Sequence, residues 1–299
     1  MATSRQASAA FDTFISRAWI DHATRSEAVA RRLRLRTPPP QQPEHLSALV
    51  RLVVNLLGEH LGRFDDARWR LDALRTHPLA NDAVQSDLRV AHATLAIAER
   101  RPRASRRLTA GEIVRAESAA AAMCLGRGQL DRALDLIASA TRRLAALRDA
   151  TPQDHRPLAV ACNNMAWELE EVEVERSEAQ TQAMLRLAAA SREHWSRAGT
   201  WLHIERAEYC LALTHLSAGL HDQAWLHAAQ CLAVCLRHHA APFEHLSAHE
   251  AMARVHHARC EEAELAHHAQ AMWDVFDRLN ADDQAACREV VDDVLALRA

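Results

Sequence analysis

The sequence predicts an all-α protein built from antiparallel helical hairpins. Hydrophobic residues make up 49% of the 299 positions, alanine is very frequent, and aromatic residues are only 4%. This composition suits closely packed helices, because alanine has the highest helix propensity and lets backbones approach one another. With seven glycines and nine prolines, the chain has few of the turns that many short strands would need. Apolar residues also recur at helical spacing along nearly the whole chain.

The N-terminal segment is predicted to form a hairpin of its own. One apolar stripe has the spacing of a helix face and comprises Phe11, Phe14, Ile15 and Trp19. Residues 37–43, TPPPQQP, then interrupt the pattern, because consecutive prolines cannot continue a helix. We therefore predict an N-terminal helical hairpin over 1–37, a proline-rich linker over 38–43 and a helical-repeat domain over 44–299, which 1–37 could join as one continuous domain.

Beyond the prolines the pattern predicts six pairs of helical segments joined by short links. They lie near 44–61 and 64–77, 81–100 and 109–126, 129–149 and 153–172, 176–198 and 200–218, 221–239 and 243–257, and 260–278 and 281–298. Several predicted helices start at residues that favour a helix N-terminus: Thr24 with Glu27, Asn81 with Asp82, Thr109 with Glu112, Thr151 with Pro152, and Asn280 with Asp283.

Three of the links share the pattern Gly-x-x-Asp-x-Ala. They are GRFDDA at Gly62–Ala67, GQLDRA at Gly128–Ala133 and GLHDQA at Gly219–Ala224. The glycine can take the positive φ that ends a helix. The aspartate falls in the first turn of the next helix, where negative charge is favoured. The alanine begins a small-residue face on which each hairpin can close.

These junctions resemble those of the tetratricopeptide repeat, whose helices meet at Gly-x-[aromatic/Leu]-[Asp/Glu]-x-Ala. The segment ACNNMAWELEEV at 161–172 resembles the first helix of such a repeat, and HHARCEEA at 256–263 resembles a further junction with Ala258 in place of glycine. The first two junctions are 66 residues apart, close to two repeats of about 34. The resemblance covers roughly 44–278 and implies hairpins stacked as a right-handed α-solenoid with a concave groove.

In that family the first helix of each pair lines the groove, which often binds peptides. By this resemblance Asn163, Asn164 and Trp167 would face the groove, and Arg206 and Tyr209 would line its next stretch. Asparagine amides can donate to and accept from a peptide backbone, and tryptophan offers a large apolar anchor. The alternative is that Trp167 belongs to the core and that the asparagines are capping or buried polar groups.

Histidines are concentrated in the C-terminal third, where thirteen of the nineteen lie between 194 and 268. Two helix stripes stand out, one with His245, His249, Met252 and His256 and one with His227, Cys231, Cys235 and His238. Their histidines and cysteines would suit zinc or copper, so the alternative hypothesis is a metal-binding or metal-dependent protein. Neither Cys-x-x-Cys nor His-Glu-x-x-His occurs, and we therefore favour a protein without metal or cofactor. His249, Met252 and His256 would then belong to the partner-binding surface.

Charge is divided unevenly along the chain. Residues 1–150 carry +8 and residues 151–299 carry −11 with neutral histidine. The second half holds fourteen histidines, so their full protonation, around and below the reference pKa of about 6.5, would bring it to about +3. This pattern predicts that partner binding driven by the acidic half weakens at acid pH.

The residue inventory argues against several functional classes. All 36 basic residues are arginine, which excludes a Schiff-base lysine and the phosphate-binding lysine of a P-loop. Gly-x-Gly-x-x-Gly is absent too. Nucleic-acid binding is not favoured, because the basic segment within 1–37 is too short for a helix-turn-helix domain. We therefore predict a non-catalytic protein that binds a peptide or protein segment as a scaffold, adaptor or regulator.

The sequence also favours a cytoplasmic location. Its start has no apolar core of signal-peptide length, and no apolar run is long enough to span a bilayer. The seven cysteines are odd in number and scattered, which fits reduced thiols better than a disulfide framework. These features give no indication of the oligomeric state.

Overall fold

The computed structural model describes residues 4–22, 24–101, 108–172 and 175–298. Within these residues it contains fourteen α-helices and no strand, which confirms the all-α prediction. The chain divides into two compact units, 1–150 and 151–299. None of the helices in the described ranges combines the length and the apolar character that crossing a bilayer requires.

The first unit contains seven α-helices. They are α1 (Ser4–Asp21), α2 (Ser26–Leu35), α3 (Pro43–Val53), α4 (Phe64–Arg75), α5 (Asp82–Ala98), α6 (Ala110–Leu125) and α7 (Leu130–Ala145). A π-helical segment, Val54–His60, continues α3 directly. Phe11 is fully buried, and its ring stacks on the imidazole of His45 with the centroids 4.1 Å apart. Helices α1 and α2 therefore share one core with the helices that follow the prolines.

The second unit is built from three hairpins and a final helix. Its helices are α8 (Pro152–Glu170), α9 (Glu178–Ala198), α10 (Trp201–Ser217), α11 (His221–His238), α12 (Pro242–Ala258), α13 (Glu262–Phe276) and α14 (Ala281–Ala296). The most extensive contacts lie within the hairpins α8–α9, α10–α11 and α12–α13. Helix α10 also packs on both α8 and α12, and α12 packs on α14. The helices α8, α10, α12 and α14 thus lie side by side as one layer.

The three glycine junctions have the predicted backbone geometry. Gly62, Gly128 and Gly219 have φ values of 62°, 70° and 72°, in the left-handed region that only glycine enters without penalty. The alanine that ends each pattern is fully buried at Ala67, Ala133 and Ala224. The aspartates Asp65, Asp131 and Asp222 lie in the first turn of α4, α7 and α11. Each junction therefore ends one helix and begins the next as predicted.

The fourth junction lies two residues further along the chain than predicted. Ala258 is the last residue of α12, and the left-handed residue is Cys260, with φ 57°. The amide of Glu261 donates to the carbonyl of His256 at 2.9 Å, which is the bond that closes a Schellman turn. The assignment of Ala258 to the glycine position is therefore wrong. Helix α12 continues to Ala258 because Val255 and His256 are buried in its packing.

Four of the five predicted helix starts are confirmed. The side chains of Asn81 and Asn280 accept hydrogen bonds from backbone amides of α5 and α14. Thr109 forms a capping box with Glu112. Thr151 donates to the Asp154 carboxylate, and Pro152 occupies the first helical position of α8. The prediction for Thr24 is wrong. Helix α2 begins at Ser26 after Arg25, whose amide donates to the carbonyl of Asp21 at 2.9 Å. This tight turn out of α1 leaves no capping position for Thr24.

Glu112 also joins α6 to α5. Its carboxylate accepts hydrogen bonds from the Ser86 hydroxyl at 2.6 Å, from the Arg89 guanidinium at 2.7 Å and from the Thr109 amide at 2.9 Å. Burial opposes ionisation, but these donors outweigh it and lower the pKa of Glu112 to about 2.

Candidate functional site

A cavity of about 400 Å³ opens in the second unit between α8, α10, α12 and α14. Its walls combine aromatic, apolar and carboxylate side chains. The lining residues are Asn163 and Trp167 from α8, Glu205, Arg206 and Tyr209 from α10, Phe243, Glu244, Leu246, Ser247 and Glu250 from α12, and Ala286, Cys287 and Val290 from α14. The cavity thus lies along the layer formed by the first helix of each hairpin and by the final helix.

Four of the residues predicted to bind a partner line this cavity together. They are Asn163, Trp167, Arg206 and Tyr209. The rings of Trp167 and Tyr209 are tilted by 39° with their centroids 5.8 Å apart. Asn164 is exposed outside the lining, and its Oδ1 accepts from the Asn163 amide at 3.5 Å. The structure therefore brings together side chains that the sequence places in two different helices.

Two of the three carboxylates at the cavity are held in hydrogen-bonded ion pairs. Arg206 donates to Glu244 at 3.0 Å. Glu250 accepts from the Tyr209 hydroxyl and from the Arg254 guanidinium, both at 2.8 Å. Burial and the adjacent Glu250 carboxylate raise the pKa of Tyr209 well above its usual value, so the hydroxyl remains a donor. These contacts fix the rim of the cavity.

The third carboxylate, Glu205, lies in a buried cluster with two thiols. The Cys231 thiol donates to Glu205 Oε1 at 3.1 Å, and the Cys235 thiol lies 3.6 Å from the carbonyl oxygen of Glu244. Glu205 Oε2 is buried and finds no hydrogen-bond partner in the part of the chain that the structure describes. Burial raises the pKa of Glu205. Among the described residues, Glu205, Cys231 and Cys235 form the only group of three or more potential metal ligands whose donor atoms lie close together.

The histidine stripe of α12 does not reach the cavity. Met252 is 6% exposed and packs in the core beside Val255, which corrects its predicted partner-binding position. His256 is buried and bonds to Glu261, and His249 is held against His268 with their Nδ1 atoms 3.0 Å apart. Helix α12 packs on α11 and α13 as well as on α10 and α14. Its stripe therefore faces neighbouring helices.

The structure does not gather the seven residues of the metal-binding alternative into one site. His227 bonds to Glu208 at 2.8 Å, and the His238 ring stacks on Trp201 with centroids 5.0 Å apart. His245 is half-buried on α12 and lines no part of the cavity. Within the described residues, Cys231 and Cys235 are the only predicted ligands in a group whose donor atoms lie within 4.8 Å of one another, and its third member is Glu205. Sequence reasoning missed Glu205, since no motif links α10 to α11 across this distance.

Several histidines resist the protonation that the composition suggests. His249 and His268 form one contact pair and His155 and His194 another, each with a 3.0 Å separation between Nδ1 atoms. Burial lowers the pKa of all four, and those of His249 and His268 fall to about 4. Because His249 and His268 stay neutral near pH 6, the predicted reversal of charge in the second half is incomplete there.

The chain shows no match to a protein-family model, to a curated protein or to a solved structure. The functional argument therefore depends on the cavity and the buried cluster themselves.

Proposed function

We propose that the second unit binds a peptide or protein segment in the cavity between α8, α10, α12 and α14. The protein would act as a cytoplasmic scaffold, adaptor or regulator without catalysis of its own. One observation carries this proposal: Trp167, Tyr209 and Phe243 offer ring surface to the cavity beside the amide of Asn163. Aromatic anchors together with a group that can hold backbone amides fit an extended peptide.

The size of the cavity supports an anchoring role. At about 400 Å³ it falls at the small end of the roughly 300–1,000 Å³ typical of ligand pockets. Such a volume takes one or two side chains, while the rest of a segment would continue over the exposed surface near Asn164. The ion pair of Arg206 with Glu244 keeps the rim in place before binding, which limits the entropy lost on association.

The proposal includes a tetratricopeptide-like, right-handed solenoid as the architecture of the hairpins. Support comes from the left-handed glycines, from the buried alanines that follow them and from the side-by-side layer of α8, α10, α12 and α14. In arrays of this kind the stacked hairpins form an extended concave binding surface. A reducing compartment is supported by seven free cysteines, six of them buried.

Selection from a random peptide library against the full chain tests this function. Selected peptides are then titrated by fluorescence anisotropy against the wild type and against Trp167→Ala. If Trp167 is an anchor, the substitution weakens binding by about 2 kcal/mol, or roughly 30-fold in Kd. Asn163→Ala should weaken it by a smaller factor, because one amide is lost.

Trp225→Ala is the matched control. Trp225 lies on α11, is 36% exposed and does not line the cavity. Its replacement should leave the Kd of the selected peptides unchanged. Peptides that bind the wild type and Trp167→Ala equally well would show that the cavity is not the binding site, and the absence of any selectable peptide would count against the function itself.

A further inference from the structure

The interior of the hairpin α10–α11 contains a carboxylate with an exceptional environment. Six glutamates are buried among the described residues: Glu112, Glu117, Glu205, Glu208, Glu244 and Glu250. Five of them form an ion pair with an arginine, at distances between 2.6 and 3.1 Å. Glu205, which is 1% exposed, pairs with no arginine in the described part of the chain. Buried carboxylates are rarely tolerated without a cationic partner.

The two thiols do not satisfy this carboxylate. Cys231 donates to Oε1 at 3.1 Å, and Oε2 has no hydrogen-bond partner among the described residues. Cys231 and Cys235 stand one helical turn apart on α11, so both sulfur atoms face the same side, and both residues are fully buried. As small apolar residues the cysteines would suit a helical core. That role accounts for the thiols but leaves Oε2 of Glu205 unexplained.

We propose that Glu205, Cys231 and Cys235 bind one divalent metal ion of the zinc class. The three donor atoms lie within 4.8 Å of one another, so small side-chain movements would bring them to the bond lengths of about 2.0–2.3 Å that zinc requires. Two sulfur ligands select a borderline-soft ion, whereas magnesium and calcium prefer oxygen alone. The ion would give Glu205 the positive partner that the other buried glutamates have.

The surroundings can complete the site. The Glu244 carbonyl oxygen, 3.6 Å from Cys235 Sγ, is placed to supply a fourth donor. Two thiolates and one carboxylate exceed the charge of a divalent ion by one. Burial raises the pKa of Glu205, and a bound cation would oppose that effect by favouring the anionic carboxylate. Each thiol gives up its proton to solvent as its sulfur binds the ion. Glu205 and Glu244 also line the cavity, so the experiment includes a variant that separates metal binding from peptide binding.

Cobalt(II) titration of the full chain, purified without a histidine tag under reducing conditions, tests the site. We expect one ion per chain, a near-ultraviolet thiolate-to-cobalt charge-transfer band, and loss of the band when zinc is added. Cys231→Ala and Cys235→Ala should each abolish the tetrahedral two-sulfur spectrum. Glu205→Gln should weaken cobalt binding by more than about 100-fold. Loss of a group that only hydrogen-bonds to a metal ligand typically weakens binding by roughly 10- to 100-fold.

Two control variants separate this site from adventitious binding. Cys210→Ala removes a buried thiol of α10 outside the cluster, and Cys260→Ala removes the exposed thiol. Both should retain the band, and far-ultraviolet circular dichroism verifies that every variant is folded. No band, a band that persists in Cys231→Ala, or cobalt bound without sulfur character would overturn the proposal. Trp167→Ala should keep the band, so that a failure of peptide binding is distinguishable from a failure of the metal site.

Discussion

Replacing Cys260 with glycine is expected to stabilise the protein, whereas replacing Gly128 with alanine is expected to destabilise it. Both positions hold a left-handed residue between two helices, with φ values of 57° and 70°. Cys260 is exposed, and a Cβ atom added at Gly128 would meet no atom within 4 Å. Because neither substitution changes the packing, the backbone conformation decides the effect.

The magnitude follows from two opposing contributions. The left-handed conformation costs an L-residue about 1–2 kcal/mol relative to glycine. Glycine in turn loses about 0.4–1 kcal/mol more conformational entropy on folding. The difference predicts that Cys260→Gly raises the free energy of unfolding by about 1 kcal/mol and that Gly128→Ala lowers it by about the same amount.

Urea denaturation followed by tryptophan fluorescence and by circular dichroism measures both changes. Cys260→Ala serves as the control, since it removes the thiol but keeps the Cβ atom, and its unfolding free energy should match the wild type. If Cys260→Gly proves less stable than the wild type while Cys260→Ala is neutral, the position of the fourth junction is wrong. If Cys260→Gly and Cys260→Ala change the unfolding free energy by the same amount, the loss of the thiol and not the backbone conformation causes the change.

Three further substitutions probe groups whose environment the structure defines. Glu112→Gln should lower the unfolding free energy by about 1–3 kcal/mol at pH 7. Because the folded pKa of Glu112 is about 2, denaturation curves should show this difference from the wild type shrink below pH 4.5 and vanish near pH 2. Tyr209→Phe should destabilise the second unit by about 1 kcal/mol, since Glu250 loses a donor at 2.8 Å. Tyr209→Leu, measured by the same method, should lower the unfolding free energy further because the packing of the ring is lost too. His249 and His268 have folded pKa values of about 4, so the unfolding free energy should fall as the pH drops from 6.5 towards 4. His268→Gln should make this dependence on pH weaker. An unchanged dependence would contradict the low pKa of His268 in the folded protein.

Local features of the sequence determined the secondary structure and the helix junctions. A left-handed glycine and a capping side chain act within about one helical turn, so Gly62, Gly128 and Gly219 could be predicted without knowledge of the tertiary packing, as could the caps at Asn81 and Thr109. The fourth junction was predicted two residues too early, because Cys260 has no intrinsic preference for the positive φ that it adopts. Burial of Val255 and His256, a tertiary effect, holds the last turn of α12, which ends at Ala258.

The composition of the sites was decided only by the tertiary structure. Periodicity identifies a stripe on a helix but not the neighbour that it meets, and α12 has neighbours on several sides. For this reason Met252 could be placed in the groove from sequence although it lies in the core. Glu205 meets Cys231 across a separation of 26 residues, and no local pattern encodes that contact. The sequence alone thus determined the helices, whereas the packing of one hairpin against the next decided which side chains line the cavity and which buried carboxylate has no arginine partner among the described residues.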